Sequence, residues 1–238
     1  MTEQIQIGDI SVDVIFKDIK NVHLSVHPPT GRVRISAPRR MKLDIIRVYA
    51  ISKIDWIKKH QAKIQAQERE TPREYLERES HYVWGKRYLL KVDEANRIPS
   101  VELRHTQMVL TVRPGSGVEK REAIVSAWHR DEVRKAAAPL IEKWEAAMGV
   151  SANQLHIQRM KTRWGSCNPR ARSIRLNSEL AKKPRECLEY VVVHELAHLL
   201  EPSHNARFIA LMDKFMPNWK QHRAELNRIP LSHVEWEY

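Results

Sequence analysis

Glycine is scarce in this chain, seven residues in 238, and none of them forms the Gly-rich loop that cradles a phosphate. Cysteine is scarcer. Cys167 and Cys187 are the only two, and they offer neither paired metal-ligand spacing nor a disulfide framework. No apolar run is long enough to span a bilayer, so no membrane partner is expected. The first twenty residues carry no signal-peptide apolar block. Ile5, Ile7, Ile10, Val12, Val14 and Phe16 are instead interleaved with polar residues. The reducing cytoplasm is the expected compartment. Acidic residues are also in deficit, 29 Asp and Glu against 41 Lys and Arg, which leaves a formal charge of +12.

That excess is concentrated. From Arg159 to Arg185 stand Arg159, Lys161, Arg163, Arg170, Arg172, Arg175, Lys182, Lys183 and Arg185, opposed only by Glu179. Two readings are open. The stretch is a solvated basic face, or it draws an acidic substrate, a nucleotide phosphate or a nucleic acid to this surface.

With 42% apolar and 29% charged residues the composition is that of a globular protein, and its patterning predicts an α+β fold with a β-rich N-terminal portion. Residues 5–38 read as strands, turned at Pro28-Pro29-Thr30-Gly31 and closed by Pro38. Leu43, Ile46, Ala50, Ile54, Ile57 and Ile64 recur at helical spacing, which predicts one helix over 41–67. Glu68 to Arg78 reads as a connector. Strands are then predicted over 81–92, 101–103 and 109–112, followed by a long helix from Val118 to Met148, kinked at Pro139 and stopped by Gly149. The order of strands, proline and long helix thus occurs twice. Three regions result: residues 1–70, residues 79–150 and a C-terminal region over 151–238.

The last region opens with a short strand at Leu155-His156-Ile157. Arg163 to Cys167 and Ser173 to Asn177 read as the arms of a hairpin turned at Asn168-Pro169-Arg170. Pro184 stands where a helix starts. Leu188, Val191, Val192, Leu196 and Leu199 then form the apolar stripe of a helix over 186–200, ended by Pro202. Ser203 is the expected N-cap of the next helix, and a last one follows Pro217.

The chemistry lies in His194-Glu195-Leu196-Ala197-His198. Residues four apart on a helix project from one face, so the two imidazoles can reach one metal ion, with Glu195 beside them. Zinc lowers the pKa of a bound water to about 7, and a neighbouring carboxylate can then take its proton. Such a five-residue pattern can arise by chance in a chain with 12 histidines. This one sits in a strongly apolar helical run, however. His204 follows six residues after His198, just past Pro202, at the spacing of tris-histidine zinc proteases. Glu201 falls on nearly the same helical face and competes for the third position. It precedes proline, though, and would have to reach backward along the helix axis.

These residues, together with Arg163-Trp164-Gly165-Ser166-Cys167 and Ile174-Arg175-Leu176-Asn177, resemble the metallopeptidase-like domain of the YgjP family, relatives of the SprT and Wss1 zinc proteases. Gly31 to Pro38 and Asp55-Trp56-Ile57 are similar to that family as well, so the resemblance covers most of the chain. It implies a compact zinc peptidase fold, with a helix pair behind the metal and a β-hairpin along the upper edge of the cleft. It implies Zn2+ held by His194, His198 and His204, with Glu195 as catalytic base, and a protein or peptide substrate. It also implies a second activity class, metal-dependent hydrolysis of a nucleoside triphosphate (UTP) to monophosphate and pyrophosphate. By the same resemblance the hairpin lies beside the metal, where substrate backbone can add to its edge strand. Arg163 and Arg175 are then candidates for oxyanion or phosphate binding, and Trp164 for a stacking platform or a core aromatic. A third reading, a nucleic-acid-associated module with a structural zinc, fits poorly with Glu195, because a structural site needs ligands and no base. Asn177 is expected to pin the hairpin, Cys167 and Cys187 to pack as inert thiols, and the other histidines to be structural or exposed.

Overall fold

The computed structural model describes residues 2–27, 30–65, 73–160 and 163–228, and these form an α+β protein. They fall into two compact units, one ending at residue 65 and the other beginning at residue 73. Among the described residues no helix is long and apolar enough to cross a membrane.

In the first unit β1 (Thr2–Ile7), β2 (Ile10–Lys17), β3 (His23–His27) and β4 (Arg32–Pro38) form a sheet in the order β1-β2-β4-β3. The strand alternation puts Ile5, Val12, Val14, Val33 and Ile35 on one face, where Ile46 and Ile57 of two helices complete the core. The single helix expected over 41–67 is two, α1 (Leu43–Ser52) and α2 (Ile54–Gln65). Ser52 Oγ donates to the Tyr49 carbonyl at 2.7 Å, a local bond that competes with helix continuation. Lys53 leaves the helical region at φ −110° and ψ 12°.

The second unit repeats the topology. β5 (Ser80–Val83), β6 (Lys86–Glu94), β7 (Ser100–Arg104) and β8 (Gln107–Val112) run in the order β5-β6-β8-β7. Both sheets have the same pairing, with the second strand parallel to the fourth and the other neighbours antiparallel. The recurrence read in the sequence therefore has a counterpart in topology. The uninterrupted strand expected over 81–92 is a hairpin. Trp84 and Gly85 turn it at φ 48° and 76°, the positive-φ pair that two-residue hairpins use.

α3 (Val118–Met148) runs through Pro139 and ends at Gly149, whose φ of 67° is the left-handed cap. The sequence sets a boundary near residue 150, yet Val133, Ala137 and Met148 of α3 pack into one core with Ile174, Leu188 and Val192. β9 (Gln154–Gln158), β10 (Gly165–Asn168) and β11 (Ser173–Asn177) form a three-stranded sheet in the order β10-β11-β9, which leaves β10 at an edge. Behind it lie a 3-10 turn (Ser178–Lys182) and α4 (Arg185–Ala197), followed by α5 (Ala206–Phe215) and α6 (Trp219–Arg228). Asn177, fully buried, pins the hairpin with all four positions of its amide. Its oxygen accepts from Met160 N and Glu179 N, and its nitrogen donates to Met160 O and Arg163 O.

The same unit buries a polar cluster. His81 of β5, His129 of α3 and Glu179 are almost wholly enclosed, and Lys182 pairs with Glu179 at 2.6 Å. Burial, with nearby cations, depresses both histidines to about 3, so they stay neutral while the unfolded chain takes up protons near pH 6.5. Stability is thus full above that value and is lost as pH falls toward 3, by up to about 1.4 kcal/mol per pH unit for each histidine. Glu179 cannot account for a loss at pH 6, because its carboxyl is held at about 2, burial being outweighed by Lys182 and Arg159. Urea unfolding between pH 7 and 5 should show this slope, and His129→Leu should reduce it by one proton's worth. An unchanged slope would place the acid sensitivity elsewhere.

Candidate metal centre and active site

α4 carries the centre. Its apolar residues Leu188, Val191, Val192 and Leu196 are buried, which presents His194 and His198 on the remaining face one turn apart, with ring centroids 4.9 Å from each other. The helix ends earlier than expected, at Ala197 with His198 as its C-cap. The amides of Leu199, Leu200 and Glu201 turn back onto the carbonyls of Leu196 and Ala197, so the chain has left the helix before Pro202. The next helix is capped by Asn205, not by Ser203. Asn205 Oδ1 accepts from Phe208 N at 3.0 Å, and its side chain stands at the geometric cap position.

That turn brings His204 back to the helix. Its Nε2 lies 3.1 Å from His194 Nε2, and one nitrogen from each of the three histidines falls within 4.8 Å of the others. Two imidazole nitrogens at about 2.0–2.1 Å from one zinc in tetrahedral geometry stand roughly 3.3 Å apart, so the spacing suits a shared ion. The donor set fits too. His198 Nδ1 sits 3.1 Å from the Glu201 carbonyl; a carbonyl only accepts, so Nδ1 carries the proton and Nε2 keeps its lone pair. Burial, together with the neighbouring His198 and His204, depresses His194 to about 3, which keeps it in the neutral form that ligates metal. The Glu201 carboxylate turns to the Ser203 amide at 3.2 Å. Phe208 packs against all three imidazoles, with centroids 4.6 to 5.0 Å away.

Glu195 is 5% exposed and faces β10. Burial pushes its carboxyl up to about 8, against the pull of Arg163. A Cβ on Gly165 would lie 2.5 Å from Glu195 Oε1 and 2.8 Å from Val191 Cγ1, so the missing side chain is what lets the edge strand close on the carboxylate. Gly165→Ala is therefore expected to keep the fold while displacing Glu195, with a loss of hydrolysis of roughly 10- to 100-fold. Steady-state kinetics against the wild type would test this, and an unchanged kcat would show that closure of Gly165 on Glu195 has no part in the reaction.

The cleft over these residues has a volume of about 620 Å3. Arg163 and Trp164 line it, as the sequence suggested; Arg175 does not. Ile174 and Leu176 on either side of Arg175 are buried, and strand alternation sends Arg175 to the opposite face. Trp164 packs on the core with Lys183 Nζ 5.2 Å from its ring centroid. Cys167 also lines the cleft, but burial pushes its thiol up to about 11, which keeps it a thiol. Sequence reasoning passed over Phe208, Tyr190, Arg223 and Leu226. Tyr190 was legible, since it precedes His194 by one helical turn. Arg223 and Leu226 arrive on α6 without a spacing cue.

The basic run divides. Arg159 pairs with Glu122 at 2.9 Å and approaches Glu179, which also holds Lys182. Lys183 is buried, and Arg185 lies over the Trp84 ring at 4.5 Å. These cations serve the structure. Arg163, Arg170, Arg172 and Arg175 remain exposed.

Among solved structures, the metallopeptidase zymogen abylysin of Pyrococcus abyssi is similar at 22% identity and a TM-score of 0.35, over 37% of this chain and 89% of that one. The metallopeptidase zymogen jannalysin of Methanocaldococcus jannaschii is similar at 18% identity and a TM-score of 0.34, over 37% and 90%. No curated protein matches the chain. The model of the YgjP-like metallopeptidase domain matches residues 20–229, and the chain belongs to the YgjP-like family.

Proposed function

We propose that this chain is a zinc-dependent peptidase in which His194, His198 and His204 hold the ion and Glu195 is the general base. One observation carries the reading: three imidazoles converge beside a buried carboxylate that an edge strand walls in through Gly165. Zinc in that position would supply Lewis-acid charge, acidifying water and polarising the scissile carbonyl. The charge of the ion would favour the carboxylate form that burial disfavours, and Glu195 would then accept the proton of the attacking water and return it to the leaving amine. β10, which has no partner on its outer edge among the described residues, offers that edge to the backbone of an extended peptide, and Trp164 and Arg163 flank the strand. Three protein ligands leave a position open for water, which fits catalysis better than a closed structural zinc. With Cys167 and Cys187 both free thiols, we place the protein in a reducing cytoplasm.

Hydrolysis of a nucleoside triphosphate is the second reading, favoured by Arg163 and Arg223 in the cleft. Such a reaction calls for several cations around the transferred group, and Arg175 lies outside the cleft lining. Nucleic-acid binding would rest on the exposed Arg170, Arg172 and Arg175. The discriminating experiment offers zinc-loaded protein a peptide library and the nucleoside triphosphates side by side. New peptide termini in the mass spectrum are expected. Pyrophosphate release with no peptide cleavage would transfer the site to the nucleotide reading.

A further inference from the structure

Arg223 brings to the cleft a charge that nothing in the proposed mechanism uses. It reaches the cleft from α6 and lines it together with Tyr190, Leu226 and His194. Its position is set from below. Trp219, one turn earlier on the same helix face, is 9% exposed and fixed by a 2.8 Å bond from its Nε1 to Asp213 Oδ1. The guanidinium carbon of Arg223 lies 6.0 Å from that ring centroid, so the fork is carried on an anchored platform. Asp213 is occupied by Trp219 and has Lys220 at 3.9 Å. Among the described residues no carboxylate stands in ion-pair distance of Arg223, and Glu195 is the only acid lining the cleft.

The second cleft cation is situated differently. Arg163 stands next to β10 and shares that side of the cleft with Gly165 and Glu195. Arg223 lines the cleft with His194, Tyr190 and Leu226, none of which carries a carboxylate. Bound zinc would make this wall more positive still. An exposed, oriented guanidinium with open donors matches a planar carboxylate in two parallel hydrogen bonds. A triphosphate needs several cations gathered on one group, and this wall offers one.

On the peptidase reading given above, we infer that Arg223 is a specificity-determining residue that binds a carboxylate of the substrate next to the scissile bond. The carboxylate comes from an Asp or Glu side chain or from the C-terminus of the peptide. Both sources share one chemistry, and the test separates them. Two matched pairs are used: end-blocked peptides differing only by Glu or Gln, and peptides differing only by a free or an amidated C-terminus. Cleavage is measured with the zinc-loaded wild type, and binding with zinc-loaded Glu195→Gln by fluorescence anisotropy.

In at least one pair the acid is expected to exceed its amide partner by about tenfold in kcat/KM and in affinity. The pair that discriminates names the source. Arg223→Gln should bring that ratio to about one, and Arg223→Lys should retain part of it, which a merely structural loss would not reproduce. Cleavage with equal rates for acid and amide in both pairs, or a preference that persists in Arg223→Gln, overturns the inference and leaves the peptidase reading intact. Binding discrimination that depends on Arg223, with no cleavage of any peptide, sustains the inference and removes the peptidase reading. Neither cleavage nor discrimination removes both.

Discussion

Glu195→Gln is expected to lower peptide hydrolysis by on the order of 10³- to 10⁴-fold while the protein stays folded and keeps its metal. Glutamine has nearly the shape of the carboxylic acid, so it fits the space between α4 and the Cα of Gly165 where a Cβ would already meet the side chain at 2.5 Å. What is lost is the capacity to take a proton from water. Stability should not fall, because a carboxylate that is 5% exposed is costly to ionise in place and the amide carries no such cost. Kinetics, elemental analysis and thermal unfolding of the same sample separate these effects. Loss of metal along with activity would make Glu195 a ligand rather than a base.

The second large effect concerns the third ligand. His204→Ala should weaken zinc binding by at least about 100-fold, whereas Glu201→Ala should change it by less than about tenfold. His204 Nε2 faces His194 Nε2 at 3.1 Å, and the Glu201 carboxylate is turned away onto the Ser203 amide. The Glu201 residue does contribute, through the carbonyl that orients His198. A backbone oxygen survives substitution to alanine, so that orientation should persist. Competition against a chelator of known affinity gives both constants. The reverse ranking would mean that a carboxylate completes the coordination.

Much of this centre was legible before any coordinates. The i, i+4 histidines, the apolar face behind them and the return of His204 after Pro202 follow from helix geometry and from proline's effect on the residue before it. The hairpin arms were legible from alternation and a turn, and Asn177 from its place at the end of one arm. What the one-dimensional pattern misses is closeness between segments. Gly165 reads as an ordinary small residue until Glu195 and Val191 are found beneath it. Arg175 looks like a cleft cation from its neighbours in sequence, and only the strand face on which it lies removes it. Arg223 and Phe208 stand on helices whose docking no local signal specifies. The buried pair His81 and His129, 48 positions apart in the chain, is invisible for the same reason. Helix ends were displaced where short side chains make local bonds. The first helix ends at Ser52, whose hydroxyl bonds back to the Tyr49 carbonyl, and Asn205 rather than Ser203 caps α5, its oxygen reaching the Phe208 amide.

The central claim is a tris-imidazole zinc with a position open to water beside Glu195, and X-ray absorption at the zinc edge of metal-loaded wild-type protein tests it directly. The account predicts a first shell of light ligands at about 2.0–2.1 Å, three of them imidazoles marked by the multiple scattering of their rings and one an oxygen that an added hydroxamate displaces. A shell containing sulfur at about 2.3 Å, or four protein ligands that the hydroxamate leaves untouched, would contradict it.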